Sequence, residues 1–210
     1  MGNEYPTQQE VQEVLREAEG LINGIDDQTT DSFTDQTETG SAVYGRSVRH
    51  GSHEYRVLAS PEWRHVKLTI DFDVAASLAA NRAIARTDGG HRSGAQVQLG
   101  PDDVEQARED LADRLDEEEL EEVRQGLFDR LGDGYVATGA MKANDSAVFG
   151  YGLEDRLYLY DEEVKVSEFH DRVQTLINHF WRAREFLLIS YEVRHILDED
   201  EDASDTRGYY

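Results

Sequence analysis

The chain of 210 residues contains no cysteine at all, so neither disulfides nor thiolate chemistry is open to it. Proline is scarce, with three residues, and methionine scarcer, with two. Lysine is nearly missing: Lys67, Lys142 and Lys165 stand against eighteen arginines. No apolar run reaches membrane length without a charge, and no basic-then-apolar N-terminus reads as a signal peptide. A soluble, cytoplasmic protein is the expectation. Glycine is present, but Gly45, Gly89, Gly90 and Gly94 do not fall at Rossmann or P-loop spacing. No Gly-x-Ser-x-Gly elbow or Ser/His/Asp arrangement is recognisable. The pattern therefore names no catalytic residue and implies no cofactor.

What is abundant is acid. Asp and Glu total 45 against 21 Lys and Arg, a formal charge of −24. Such a surface suits concentrated salt, where screening removes the self-repulsion that would strain the fold in dilute buffer. This lysine-poor, acid-rich composition resembles that of haloarchaeal cytoplasmic proteins. On that reading the acidity is a baseline of habitat and says little about a partner.

The strongest local signal runs from Arg156 to about Leu197, a short strand at Leu157–Tyr160 feeding a long helix capped by Ser167. Phe169, Val173, Leu176, Phe180, Ala183, Leu187 and Tyr191 repeat every three or four residues, and Ile177, Trp181, Leu188 and Ile189 widen the stripe. A helix apolar over most of its circumference must be covered over most of it. Trp181 and Leu188 are accordingly the candidate contacts of a homodimer formed through this helix.

Upstream, Thr7 and Glu10 fit a capping box for an amphipathic helix through Val11, Val14, Leu15, Ala18, Leu21 and Ile22, with Gly24 as its left-handed stop. Residues 26–40 read as a polar linker holding a single aromatic, Phe33. Strands are expected at Ala42–Val48, His53–Ser60 and Trp63–Asp73, the last alternating Val66, Leu68, Ile70 and Phe72 against His65, Lys67, Thr69 and Asp71. Asp73 caps an Ala-rich helix over Val74–Ala85. A loop follows at Asp88–Gly94. Pro101 and Asp116 then open the two arms of a charged helical hairpin, or one long kinked helix, ending at Gly132. Further strands are expected at Tyr135–Met141 and Ala147–Tyr151. The expected class is α+β: an antiparallel sheet covered by the N-terminal and long C-terminal helices. Residues 1–87 and 134–197 would form one core, 88–133 a helical insertion and 198–210 a disordered acidic tail.

With 88–133 set aside, the order of elements is helix, three strands, helix, two or three strands, long helix. That order resembles the type III secretion chaperone and YbjN-like families, and the resemblance covers most of the chain. It implies an α+β sandwich acting as a protein-binding, homodimeric module. It carries no binding residues onto this sequence.

Three constellations remain. Arg46, Arg49, Arg56 and Arg64 cluster with His50, His53 and His65 around the first hairpin, the only basic-leaning stretch, and are the candidate binding residues of an interface. Tyr44, Tyr55, Trp63, Tyr135, Tyr151, Tyr158 and Tyr160 put aromatics on nearly every strand, as a stacking platform for single-stranded nucleic acid would. Asp71 and Asp73, or the early histidines, could hold a divalent metal. A solvent-facing Asp beside a helix cap, and histidines on a sheet surface, explain those residues more simply, so no metal ligand is assigned. His170, His179 and His195 lie too far apart along the long helix to pair. Arg182 and Arg184, two apart on that helix, cannot serve one site and read as rim arginines. Three functions follow in order: a protein-binding, adaptor or chaperone-like module; a nucleic-acid-associated regulator using the Arg/His hairpin; and a small metal-dependent enzyme.

Overall fold

The computed structural model describes residues 5–37, 39–86, 99–131 and 149–193. Their elements run α1 (Gln8–Gly24), β1 (Gln28–Gln36), β2 (Ala42–His50), β3 (His53–Ala59), β4 (Val66–Asp73), α2 (Val74–Arg86), α3 (Pro101–Ala112), α4 (Glu117–Leu131), β5 (Gly150–Leu157) and α5 (Val166–Ser190). The five strands form one antiparallel sheet in chain order, β1-β2-β3-β4-β5. The α+β class, with an N-terminal helix and a long C-terminal one, is as the periodicities imply. No helix among the described residues is long and apolar enough to cross a membrane.

Local rules account for most boundaries. Thr7 Oγ1 accepts from the Glu10 N–H at 3.3 Å while Glu10 accepts from the Thr7 N–H at 2.7 Å, so the capping box is complete. Asp73 Oδ1 accepts from the Ala75 N–H at 2.8 Å and opens α2. Asp116 accepts from the Glu118 and Glu119 N–H groups, both at 3.0 Å, and opens α4. The hairpin expected after Pro101 is thus two separate helices. Gly51, at φ 58°, supplies the left-handed residue of the two-residue turn between β2 and β3.

Four expectations need correction. Residues 28–36 are not linker: they form β1, paired along its length with β2 and broken only by a bulge between Thr29 and Asp31. Threonines on an edge strand satisfy a ladder without needing apolar neighbours. Gly24 is not the left-handed stop of α1. That conformation belongs to Asp26, at φ 60°, while Gly24 stays helical and lets the Val166 side chain approach where a Cβ would collide. The separate strand expected at Leu157–Tyr160 does not form: β5 runs from Gly150 to Leu157, and beyond it the Asp161 and Glu162 N–H groups both bond back to the Tyr158 carbonyl in a turn. The long helix begins at Val166, ahead of Ser167, and ends at Ser190. The strands expected at Tyr135–Met141 and at the start of Ala147–Tyr151, the 88–94 loop and the 198–210 tail lie outside the described residues.

The chain divides into two compact units. The first takes its described residues from Met1–Asp71, Leu131 and Gly152–Trp181; the second from Phe72–Arg130, Phe149–Tyr151 and Arg182–Val193. In the second unit α2 packs on α3, Arg108 reaches Asp73 at 3.0 Å, and Arg114 donates to the Tyr191 carbonyl at 2.6 Å. Arg184, buried, lies over the Phe72 ring at 5.7 Å. Arg182, by contrast, is exposed. The first unit holds the sheet's two contrasting faces.

Candidate functional site

Register sorts the strands of the first unit. Tyr44, Arg46, Val48 and His50 pair across to Ala59, Val57, Tyr55 and His53, and Val57 pairs to Leu68, so these share one face. Helices α1 and α5 fill that face: Val11, Leu15, Ile22, Phe169, Val173 and Leu176 are buried with Val48, Tyr55, Val57 and Leu68. Its polar groups are matched. Asp27, buried, accepts from the Tyr55 hydroxyl at 3.0 Å and pairs with His50 Nδ1 at 2.6 Å, and the other side of the His50 ring meets Gln174 on α5.

The intervening residues turn the other way: Asp31 and Arg56 are exposed there, Phe33, Leu58, Lys67 and Thr69 are half-buried, and Val43, Gly45 and Ser47 are buried. Phe33, Gly45, Leu58 and Lys67 form one row across β1 to β4; Asp31, Ser47, Arg56 and Thr69 form the next. At the end of this face where β4 begins lies an open cleft of about 590 Å³. Phe33, Val43, Leu58 and Trp63 supply its apolar surface, with Asp35, Glu62, Arg56 and Lys67 as its charges. The Phe33 ring lies directly on Gly45, in space that any Cβ there would fill. Lys67 Nζ sits 4.2 Å from the Trp63 ring centroid and 2.8 Å from Glu154. Trp63 stacks on His65, whose ring in turn leans against Tyr158.

The electrostatics of this face are specific. Glu62 takes hydroxyl bonds from Ser41 at 2.6 Å and Thr39 at 2.7 Å, which hold its carboxyl below the usual carboxylate range. Burial works against ionisation of Glu154, but bonds from Lys67 and Arg156 outweigh it and hold that carboxyl low. Asp71 goes the other way, raised by burial and only partly relieved by Arg56 at 3.3 Å. His65 is lowered by burial first and by Arg156 and Lys67 next; its Nε2 is buried with no partner among the described residues.

The residues singled out from sequence scatter. Arg46 turns to the helix-covered side and binds Glu19 of α1 at 2.6 Å. Arg56 and Arg64 face water, paired with Asp71 and Asp161, and Arg49 is exposed opposite Glu54. His50, His53 and His65 go to three places: His50 to Asp27, His53 against Trp181 with ring centroids 5.0 Å apart, His65 to the open face. Asp71 meets Arg56, whereas Asp73 caps α2 and binds Arg108. Among the described residues no three His, Asp or Glu side chains gather as metal ligands. Trp181 is half-buried; Leu188 is buried by its own chain, and the apolar residue that α5 leaves most exposed is Ile189, at 76%. The site residues that sequence reasoning passed over are Phe33, Glu62 and Leu58. The only signal was Phe33 itself, one aromatic in an otherwise polar stretch.

No protein family, curated protein or solved structure matches the chain.

Proposed function

We propose that the chain is a non-catalytic protein-binding or adaptor module, chaperone-like in holding a partner without altering it, and that the partner lies on the open face of the sheet. One observation carries the reading: a sheet filled by two helices on one face leaves Phe33, Leu58 and Trp63 around a cleft on the other. Binding through the β1 edge is less well supported, because Asp31 and Asp35 each accept the N–H of the following residue at 2.8 Å and so occupy donors that an added strand would need. Arg46, Arg56 and Arg64 are each spent on a carboxylate, which takes free cations from the nucleic-acid alternative. The composition supports a halophilic cytoplasm as the setting. Exposure of Ile189 on α5 supports self-association through that helix.

The test is site-specific photocrosslinking in a molar-salt extract of native cells. Benzoylphenylalanine in place of Arg56, on the open face, should capture one discrete protein that rebinds the wild type when purified. The same group in place of Arg16, exposed on α1, should not. Equal capture from both positions, or none from Arg56, rejects the reading.

A further inference from the structure

The cleft on the open face is unbalanced in charge. Both of its cations have carboxylates of their own: Lys67 has Glu154 at 2.8 Å, and Arg56 has Asp71 at 3.3 Å. Its two carboxylates have only neutral donors among the described residues. Glu62 is held by the hydroxyls of Thr39 and Ser41, and Asp35 by the Gln36 N–H. The hydroxyl bonds both fix Glu62 in place and keep it ionised. Phe33 and Trp63 line the same cleft, the first pinned on Gly45 and the second already holding the Lys67 ammonium. An anion that is fixed, ionised and set beside aromatic rings is complementary to an organic cation with a flat or apolar body.

We infer that the cleft receives an arginine side chain presented by the protein partner, its guanidinium on Glu62 and its plane against the aromatic wall. This rests on the protein-binding reading above. Arginine fits better than lysine for two reasons. A guanidinium can stack on a ring while giving two parallel hydrogen bonds to one carboxylate, whereas an ammonium is a point charge. In concentrated salt the point-charge attraction is screened within about 3 Å, while stacking and directed hydrogen bonds persist. The volume of about 590 Å³ lies within the range of ligand sites, roughly 300–1,000 Å³, so apolar residues beside the arginine can rest on Val43 and Leu58.

The experiment uses the full chain, ¹⁵N-labelled, in molar KCl. Three acetylated tripeptide amides are titrated, Leu-Arg-Leu, Leu-Lys-Leu and Leu-citrulline-Leu, following the Trp63 indole N–H resonance. The arginine peptide should shift that signal to saturation. Citrulline has the same shape without charge and should bind about tenfold more weakly. Glu62→Gln should weaken the arginine peptide by about tenfold and leave the citrulline peptide unchanged. Asp161→Asn, an exposed carboxylate outside the cleft, should change neither. Equal affinity for arginine and citrulline, indifference to Glu62→Gln, or no binding overturns the inference. So does free arginine binding as tightly as the peptide, which would make this a small-molecule site. If the protein crosslinked from Arg56 binds Glu62→Gln as well as wild type, arginine recognition fails and the protein-binding reading stands. If nothing crosslinks, the reading itself fails.

Discussion

On the helix-covered face of the first unit, Val48, Tyr55, Val57 and Leu68 are sealed by α1 and α5, and the buried Asp27 has two donors waiting for it. One residue along the same strands, Arg56 and Lys67 look the other way and are held by ion pairs, beside Phe33 resting on Gly45. The backbone ladder is common to both faces, so the difference lies wholly in what covers them. On the first face burial of apolar area stabilises the fold. On the second, half-exposed aromatic and charged groups contribute little to stability and are available for contact. Such a division separates residues that carry the fold from residues that the proposed binding would use, and it can be broken by mutation.

The largest effect should come from truncating each face in turn. Leu68→Ala empties a fully buried position and should cost about 2–5 kcal/mol. Leu58→Ala, half-exposed on the other face, should cost less than about 1 kcal/mol. Urea midpoints in molar KCl measure both. Equal losses would mean that the open face is a second core surface and no binding face at all.

How far this contrast was legible in the sequence depends on what each face asks of its residues. The alternation of Val66, Leu68, Ile70 and Phe72 announces a strand with one buried side, and the Thr7–Glu10 box, Pro101 and Asp116 announce helix starts, because each signal is local. β1 was illegible for a physical reason: an edge strand buries almost nothing of its own, and its only apolar anchor, Phe33, is defined by a glycine twelve residues away on the next strand. Clustering of Arg46, Arg49, Arg56 and Arg64 in sequence likewise suggested one patch. Register sends Arg46 to the helices and Arg56 to water, and pairing sends Arg46, Arg56 and Arg64 to three different carboxylates. Register and ion-pair choice are set by tertiary contacts, which a single sequence does not display.

A sharper version of the contrast concerns the Phe33–Gly45 contact. Gly45→Ala puts a methyl group where the ring lies and should destabilise by about 1–3 kcal/mol, while unseating Phe33 from the cleft. The double variant Gly45→Ala with Phe33→Ala should recover most of that loss, because the clash goes with the ring. Denaturation midpoints of the two single variants and the double close the cycle. Additive losses would show that Gly45 is needed for its backbone rather than as a seat for the Phe33 ring.

The smallest expected effect separates two carboxylates on the open face by pH. Glu154 has a folded pKa below its unfolded one, so its contribution is complete above the ordinary carboxylate range, near 4, and is lost as pH falls through the folded value. Asp71 has a folded pKa above its unfolded one, so its ionised form is penalised at neutral pH and the penalty fades as pH falls through the folded value toward the unfolded one. At neutral pH Glu154→Gln should therefore lower stability by about 1 kcal/mol, since it strands Lys67 and Arg156. Asp71→Asn should raise stability, by a few tenths of a kcal/mol at most because solvent reaches the side chain. Both differences should close toward wild type as pH is lowered through the carboxylate range, from opposite sides. Urea midpoints across that range follow the convergence. Two variants shifted in the same direction at neutral pH would mean that Lys67–Glu154 and Arg56–Asp71 are equivalent surface pairs. Lys67 would then be no more firmly committed to its own carboxylate than Arg56 is.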